Sequence, residues 1–415
     1  MASKSERFHY GWVVLAVGTL VVYGALGLAR FGYSMVLPSM QAGLHMDNTH
    51  AGGLATANLF GYSALALIGG ALASHYGPRR VIAAGLFVVG AAMLLTGLSR
   101  GFLSAAVWRF VTGLGSGASN VPVMALLSAW FVQRRRGTAA GIAVAGSSLA
   151  LISLGPTVPP VLHAYGENGW RVCWFGFGAI TLVLALASLL FLRDRPSQMG
   201  LRPLGDDGPE IPSPPAADGL HWGAVYRSLT VWHLGLVYAA FGFSYIIYMT
   251  FFVKHLIATG GYTPAAAGGL FMTMGWVSLL CGVIWGTVSD RIGRKHALII
   301  VYLIHAVSYA IFALWPGPAG FTLSAILFGL AAWSIPAIMA AACGDLLGPR
   351  LAPAGLGFIT LFFGIGQALG PSVAGLMSDA AGSLASSFLL AAGVALIGAV
   401  GAALLRQSSL RNCGT

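Results

Sequence analysis

Gly286-Thr-Val-Ser-Asp290-Arg291-Ile-Gly293-Arg294-Lys295 decides the fold, because it occurs twice. Its degraded copy, Gly70-Ala-Leu-Ala-Ser74-His75-Tyr-Gly77-Pro78-Arg79-Arg80, begins 216 positions earlier. Each copy is a short basic turn between two long apolar stretches. A basic turn repeated at half the chain length points to two similar halves. It also places both turns on one side of a membrane, because Lys and Arg collect on the cytoplasmic side.

The flanking composition agrees. Of 415 residues only 8% are charged and 57% are apolar, and the mean hydropathy is +0.82. A soluble chain of this length needs far more charge to cover its surface, so the apolar surface must face lipid. A membrane-crossing helix needs about 20 mostly apolar residues. Twelve such stretches are readable: 11–37, 51–73, 80–98, 103–131, 138–162, 171–192, 231–253, 265–288, 296–315, 319–344, 354–377 and 385–405. The expected fold is an all-α membrane protein of twelve transmembrane helices in two pseudo-symmetric six-helix bundles. The bundles are 1–192 and 231–415. The polar, proline-rich segment 193–230 between them reads as a cytoplasmic linker. The first apolar stretch is too long for a signal-peptide core and reads as the first crossing.

The net charge of +11 raises the question of nucleic acid, and its placement answers it. With both termini inside, 17 of the 22 Lys and Arg fall in inside segments, from Lys4 and Arg7 to Arg406 and Arg411. Outside turns hold three, Arg100, Arg171 and Lys254, and two lie within helices, Arg30 and Arg109. This bias explains the positive charge by membrane topology and sets the termini in the cytoplasm. Cys173, Cys281, Cys343 and Cys413 have neither metal spacing nor a disulfide framework. No metal, cofactor or catalytic nucleophile–base pair is expected.

The halves echo each other beyond the turns. Pro122 pairs with Pro336, and Gly155-Pro156 with Gly370-Pro371, at offsets of 214 and 215. Paired membrane repeats with a site between them are how secondary transporters are built. Glycine clusters in the apolar stretches, as in Gly113-Leu-Gly115-Ser-Gly117, where small residues let helix backbones approach closely.

These residues resemble the major facilitator superfamily over nearly the whole chain. The Gly286-to-Lys295 phrase resembles that family's signature between helices 8 and 9. The copy at 70–80 resembles the helix 2–3 signature, with Ser74 and His75 where Asp and Arg are usual. Arg109-Phe-Val-Thr-Gly113-Leu-Gly115-Ser-Gly117 resembles its helix 4 motif. Two further phrases resemble the monocarboxylate and oxalate/formate branch: Ala129-Trp130-Phe131 with Arg134-Arg135-Arg136-Gly137, and Asp194-Arg195-Pro196 through Pro203. Ala29-Arg30-Phe31-Gly32-Tyr33 and Gly364-Ile-Gly366-Gln367-Ala-Leu-Gly370-Pro371 are similar to bacterial carriers of the YbfB type. The chain departs from the branch in helix 8, Trp276-Val-Ser278-Leu-Leu-Cys281-Gly282, which lacks the usual cation. Gln367 also stands in helix 11, where oxalate carriers use a lysine. A dianion thereby loses two usual partners.

Arg30 is the leading candidate for substrate contact. A guanidinium in hydrocarbon costs several kcal/mol, so such a residue faces the interior or a water-filled cavity and marks function by default. Its fork can hold a carboxylate by two hydrogen bonds. The resemblance puts it where monocarboxylate carriers have a functional lysine. The competing reading is snorkelling to the outer interface. Tyr33, Asn120, Tyr245, Tyr248, Trp276, Trp333 and Gln367 complete the expected binding set. Helices 1, 4, 7 and 10 line the cavity in the family resembled, which favours Asn120, Tyr245, Tyr248 and Trp333. Arg79, Arg80, Asp290, Arg291 and Arg294 are expected to form a cytoplasmic charge lock between the halves, and Arg109 to couple helix movements.

No acidic residue falls in the middle of an apolar stretch. Proton coupling would therefore use His233, His305 or the substrate's own carboxyl group, and exchange or uniport fit equally. The reading is a monomeric carrier of the cell inner membrane, moving a small organic anion, a monocarboxylate, by alternating access. The alternative is an efflux carrier for apolar or cationic compounds, for which a cavity carboxylate is missing.

Overall fold

The structure is a computed structural model and describes residues 9–206 and 222–405. Lys4, Arg7, Arg406, Arg411, Cys413 and linker residues 207–221 lie outside the described residues. The first six helical segments are α1 Gly11–Val22, a π-helical stretch Tyr23–Phe31, α2 Gly32–Gly43, α3 Asn48–Tyr76, α4 Pro78–Gly97 and α5 Phe102–Trp130. Next come α6 Gln133–Tyr165, α7 Gly169–Phe191, the short α8 Trp222–Arg227, α9 Leu229–Ala258 and α10 Pro264–Ser278. The last five are α11 Cys281–Ile292, α12 Arg294–Leu314, α13 Pro318–Ala331, α14 Ser334–Ala381 and α15 Leu384–Ala403.

Among the described residues nine helices are long and apolar enough to cross a membrane, or ten if the bent pair within α3 is one span. Expected crossings 138–162 and 171–192 fall in one such stretch, Arg134–Phe191. Expected crossing 265–288 is split between α10 and α11 at Leu279 and Leu280.

Local chemistry sets the helix ends. Asp47 caps α3 by accepting the His50 amide at 2.7 Å, and Thr263 caps α10 through the Ala266 amide at 3.2 Å. Such side chains satisfy amides that the first helical turn leaves unpaired. The repeated basic turn has one backbone conformation in both halves: Gly77 has φ 86° and ψ 137°, and Gly293 φ 88° and ψ 148°. A positive φ of this size favours glycine. Each glycine ends one helix and starts the next without an intervening loop.

Among the described residues, the copy at 70–80 has a further support that the other turn lacks. Asp194, just after α7, accepts the Arg79 amide at 2.7 Å and so caps α4. The rest of the Asp194-to-Pro203 phrase folds back on the end of α5. Leu204 donates its amide to the Trp130 carbonyl at 2.8 Å, and Trp130 Nε1 donates to the Arg193 carbonyl at 2.8 Å. The two phrases that resemble the monocarboxylate branch are therefore one packed unit.

Residues 9–206 and 222–405 meet most closely at the end opposite the basic turns. A Cβ on Gly52 would lie 2.1 Å from the Pro371 carbonyl oxygen, so α3 and α14 touch through backbone. Gly155 of α6 and Gly268 of α10 approach each other's carbonyls almost as closely. Asp379 accepts the amides of Asn48 and Thr49 at 3.2 and 2.7 Å. At the basic end the apolar core is divided. A separate cluster around Val14, Leu126, Trp130 and Leu204 contains residues of the first half only. The larger cluster joins both halves.

Replacing Asp194 by Ala is expected to lower unfolding stability by about 0.5–2 kcal/mol, the usual worth of a cap. Arg80→Ala at the exposed neighbouring position should change it by less than about 0.5 kcal/mol. Thermal unfolding of the two purified variants separates these outcomes.

Candidate functional site

The first crossing does not run as one regular α-helix. Between Tyr23 and Phe31 it widens into a π-helix, a form that is rare and gathers at functional sites. Arg30 sits near the end of this stretch. Arg109 of α5 holds the widened turn: its Nη1 donates to the Ala29 carbonyl at 2.5 Å. The Arg109 guanidinium also lies over the rings of Tyr33 and Trp174, 4.9 and 5.1 Å from their centroids. Asn58 of α3 donates to the Arg109 carbonyl at 3.1 Å. Arg109 is 1% exposed. It thus ties α3, α5, α7 and the π-helix together directly beside Arg30.

Arg30 reaches from the first half into the second. Its Nη1 donates to Tyr245 Oη of α9 and to Gln367 Oε1 of α14, each at 3.2 Å. Tyr245 Oη donates to the same Gln367 oxygen at 3.0 Å. The guanidinium carbon lies 4.8 Å from the centroid of the Tyr62 ring, on α3. Asn120 of α5 donates to Tyr62 Oη at 3.0 Å. Five residues from five helical segments, on both sides of the pseudo-repeat, make one polar cluster.

The cluster is unbalanced in charge and in hydrogen bonding. Arg30 Nε and Nη2 are buried and have no hydrogen-bond partner. Gln367 Nε2 and Asn120 Oδ1 are unpaired as well. Among the described residues, the acidic side chains lie at helix ends or in turns, except Asp345, which lies within α14. Asp290 and Asp345 are at the basic end on Arg294, and Asp379 is at the far end on α3. None faces Arg30. An unpaired buried charge is costly in a low-dielectric interior. The Nε and Nη2 edge of a guanidinium is the pair of donors that matches two oxygens of one carboxylate.

Of the expected binding residues, the fold brings Arg30, Asn120, Tyr245 and Gln367 together, joined by Tyr62. Tyr33 lies close by, donating to the Ala51 carbonyl at 2.7 Å. With Arg30, Asn58 and Arg109 it lines a cavity of about 10 Å³, room for about one water. Trp333 borders the cluster through Phe31, with ring centroids 5.5 Å apart. Tyr248 lies elsewhere: its hydroxyl pairs with Ser324 at 2.7 Å and its ring packs on Phe328 and Phe312. Three residues along a helix turn a side chain about 60° away from Tyr245. Trp276 of α10 is 57% exposed and does not enter the cluster.

The expected gating residues hold partners within their own halves here. Asp290 pairs with Arg294 one turn on. Arg294 Nε donates to Asp345 at 2.9 Å, and its Nη1 to Ser289 at 2.6 Å. Arg79 Nε donates to the Leu189 carbonyl at 2.7 Å. Arg80 and Arg291 are exposed. Two participants escaped the sequence reading. Asp194 caps across 115 residues, and Ser148 receives the Trp333 indole at 3.0 Å. Serine in a membrane helix is a frequent hydrogen-bonding partner, which was the only signal for Ser148.

Comparison with known proteins identifies the fold's relatives. The family described as "Uncharacterised MFS-type transporter YbfB" matches residues 22–403. The chain is 24% identical to the Probable sulfoacetate transporter SauU of Cupriavidus necator, over 95% of this chain and 94% of that one. It is 21% identical to the Hexuronate transporter of Bacillus subtilis, covering 89% and 88%. It is 24% identical to human Monocarboxylate transporter 11, covering 94% and 81%. Among solved structures, a bacterial homologue of the lysosomal transporter Spinster, inward-facing and unoccupied, superposes with a TM-score of 0.73. The match is 18% identical over 99% of this chain and 97% of that one. This all-helical, multi-pass membrane protein therefore belongs to the YbfB-type family of major facilitator superfamily transporters.

Proposed function

We propose that the chain is a twelve-crossing, monomeric carrier of the cell inner membrane that moves a small organic anion, a monocarboxylate, by alternating access. Residues 1–192 and 231–415 form the two rocking bundles, joined by the cytoplasmic linker 193–230. The observation that carries this reading is the free Nε and Nη2 edge of Arg30, buried between the halves with no counter-charge. The substrates for which these relatives are named, sulfoacetate, hexuronate and monocarboxylates, are organic anions and support it.

The geometry yields a mechanism. A carboxylate entering the cluster satisfies the Arg30 edge and neutralises its charge. Tyr245 and Gln367 hold the opposite nitrogen, so the guanidinium is oriented before the anion arrives. Arg30 belongs to one half and both of its hydrogen-bonding partners to the other. Neutralising its charge therefore changes what binds the halves together, which is the differential interaction that a ligand-driven shift requires.

The basic turns lie on the cytoplasmic side by the distribution of Lys and Arg. The halves are then sealed at the periplasmic end and divided at the cytoplasmic end. The charge lock of Asp290, Arg291, Arg294, Arg79 and Arg80 is assigned to the opposite, outward-open state. With no carboxylate at the site, a transported proton would ride on the substrate carboxyl, on His233 of α9 or on His305, which is buried in α12. The cationic efflux alternative lacks the negative group it would need.

Purified protein screened by thermal shift tests this. Lactate, benzoate and other small monocarboxylates are expected to raise the melting temperature by mass action. Arg30→Ala should weaken that binding by at least about thirtyfold, the loss typical of one member of a buried charge pair. Tyr245→Phe should cost only about fivefold, one neutral hydrogen bond. Stabilisation confined to cations or apolar drugs, or retained in full by Arg30→Ala, would overturn the assignment.

A further inference from the structure

The route from Arg30 to the basic end passes a contact that the cluster itself does not use. Trp333 Nε1 donates to Ser148 Oγ at 3.0 Å, and Ser148 Oγ pairs with Ser278 Oγ at 2.9 Å. Ser148 belongs to α6 in the first half. Trp333 and Ser278 belong to the second. The Trp333 ring lies against Phe31, next to Arg30. Counting about 1.5 Å per residue from the far ends of their helices, Ser148 lies about one turn nearer the basic end than Arg30 and Gln367.

Trp333 stands where a helix has come apart. α13 ends at Ala331 and α14 starts at Ser334, and Trp333 has φ −113° and ψ 15°. Pro336 causes this break, because it lacks an amide hydrogen and its ring crowds the carbonyl four residues back, that of Ala332. α11 provides the partners the break leaves free. Trp285 Nε1 donates to the Leu330 carbonyl at 2.8 Å, and Cys281 Sγ accepts the Trp333 amide at 3.3 Å. Cys281 itself follows the second break, at Leu279 and Leu280. Two interrupted helices therefore meet at Trp333, and side chains rather than a helical ladder hold its backbone.

The two ends of the interface differ in kind. At the far end backbone meets backbone at Gly52 and Pro371 and at Gly155 and Gly268. Nothing there opens without moving whole helices. On the basic side of Arg30, side chains link the halves: the Trp333 indole, on a two-break joint, and Ser278 Oγ both hydrogen-bond Ser148. We propose that Trp333 is the inner gate of this carrier: a side-chain latch on Ser148 that swings at the paired breaks and releases a ligand toward the basic end. This inference rests on the alternating-access reading above but not on the identity of the substrate.

Cys281 offers a reporter, since its thiol is buried against the Trp333 amide. The full chain is prepared in membranes with Cys173, Cys343 and Cys413 replaced by Ser, and labelled with N-ethylmaleimide. Labelling should be slow in this background. Trp333→Phe keeps the ring and loses the donor, and Ser148→Ala loses the acceptor. Each should speed labelling roughly fivefold, the shift expected when one neutral hydrogen bond is lost. A matched chain retaining only Cys173, buried in α7 away from the gate, should label at an unchanged rate in both variants. Unchanged Cys281 labelling in both variants would overturn the gate, as would a parallel rise at Cys173, which marks general loosening. The assay contains no substrate, so an error in the anion assignment would leave its result intact.

Discussion

A positive charge without a negative one, held between two halves of a membrane protein, is the constraint around which this molecule is organised. The hydrocarbon interior makes an uncompensated guanidinium expensive, yet Arg30 has no carboxylate near it. Its surroundings reduce the cost without removing it. One nitrogen is shared between Tyr245 and Gln367, the Tyr62 ring lies beneath the charge, and two further donors stay unpaired. Arg109, itself buried, anchors the carbonyl of the preceding residue. The widened π-turn and its anchor hold Arg30 in place.

Around this centre the two halves are sealed unequally. Glycines at 52, 155 and 268 let backbones of opposite halves touch, so the far side closes by close-packed helices. Such contacts are stiff, because small residues leave no side chain to rearrange. Toward the basic end the first half keeps its own apolar cluster, built on Trp130 and the strap through Leu204. The core is thus shared by both halves at one end and divided at the other. The repeat that announces two halves is also uneven. In the second half the turn's Asp290 pairs with Arg294, whereas in the first half Asp194 from beyond α7 caps α4.

Much of this was legible from residues alone. The repeated basic turn read as a structural repeat, and Gly77 and Gly293 share one rare backbone conformation. Arg30 stood out because so few residues can explain a charge in an apolar stretch. Which neighbours it meets was less legible. Tyr248 and Trp276 looked as suitable as Tyr245 and Gln367, yet one turns into the aromatic core of the second half and the other stays exposed outside the cluster. Lipid is as apolar as a helix–helix interface. A membrane helix therefore carries little periodic signal of which face points inward.

The sequence by itself determined the membrane class, the repeated basic turn and the charge in the first apolar stretch. Each follows from composition, spacing or the energetic cost of one residue type. Only the tertiary structure decided which residues meet that charge: Tyr245 and Gln367 lie 215 and 337 positions from Arg30. It also decided that Asp194 caps α4 and that Trp333 donates to Ser148. These are contacts between helices whose apolar faces look alike in sequence, and only packing selects among them.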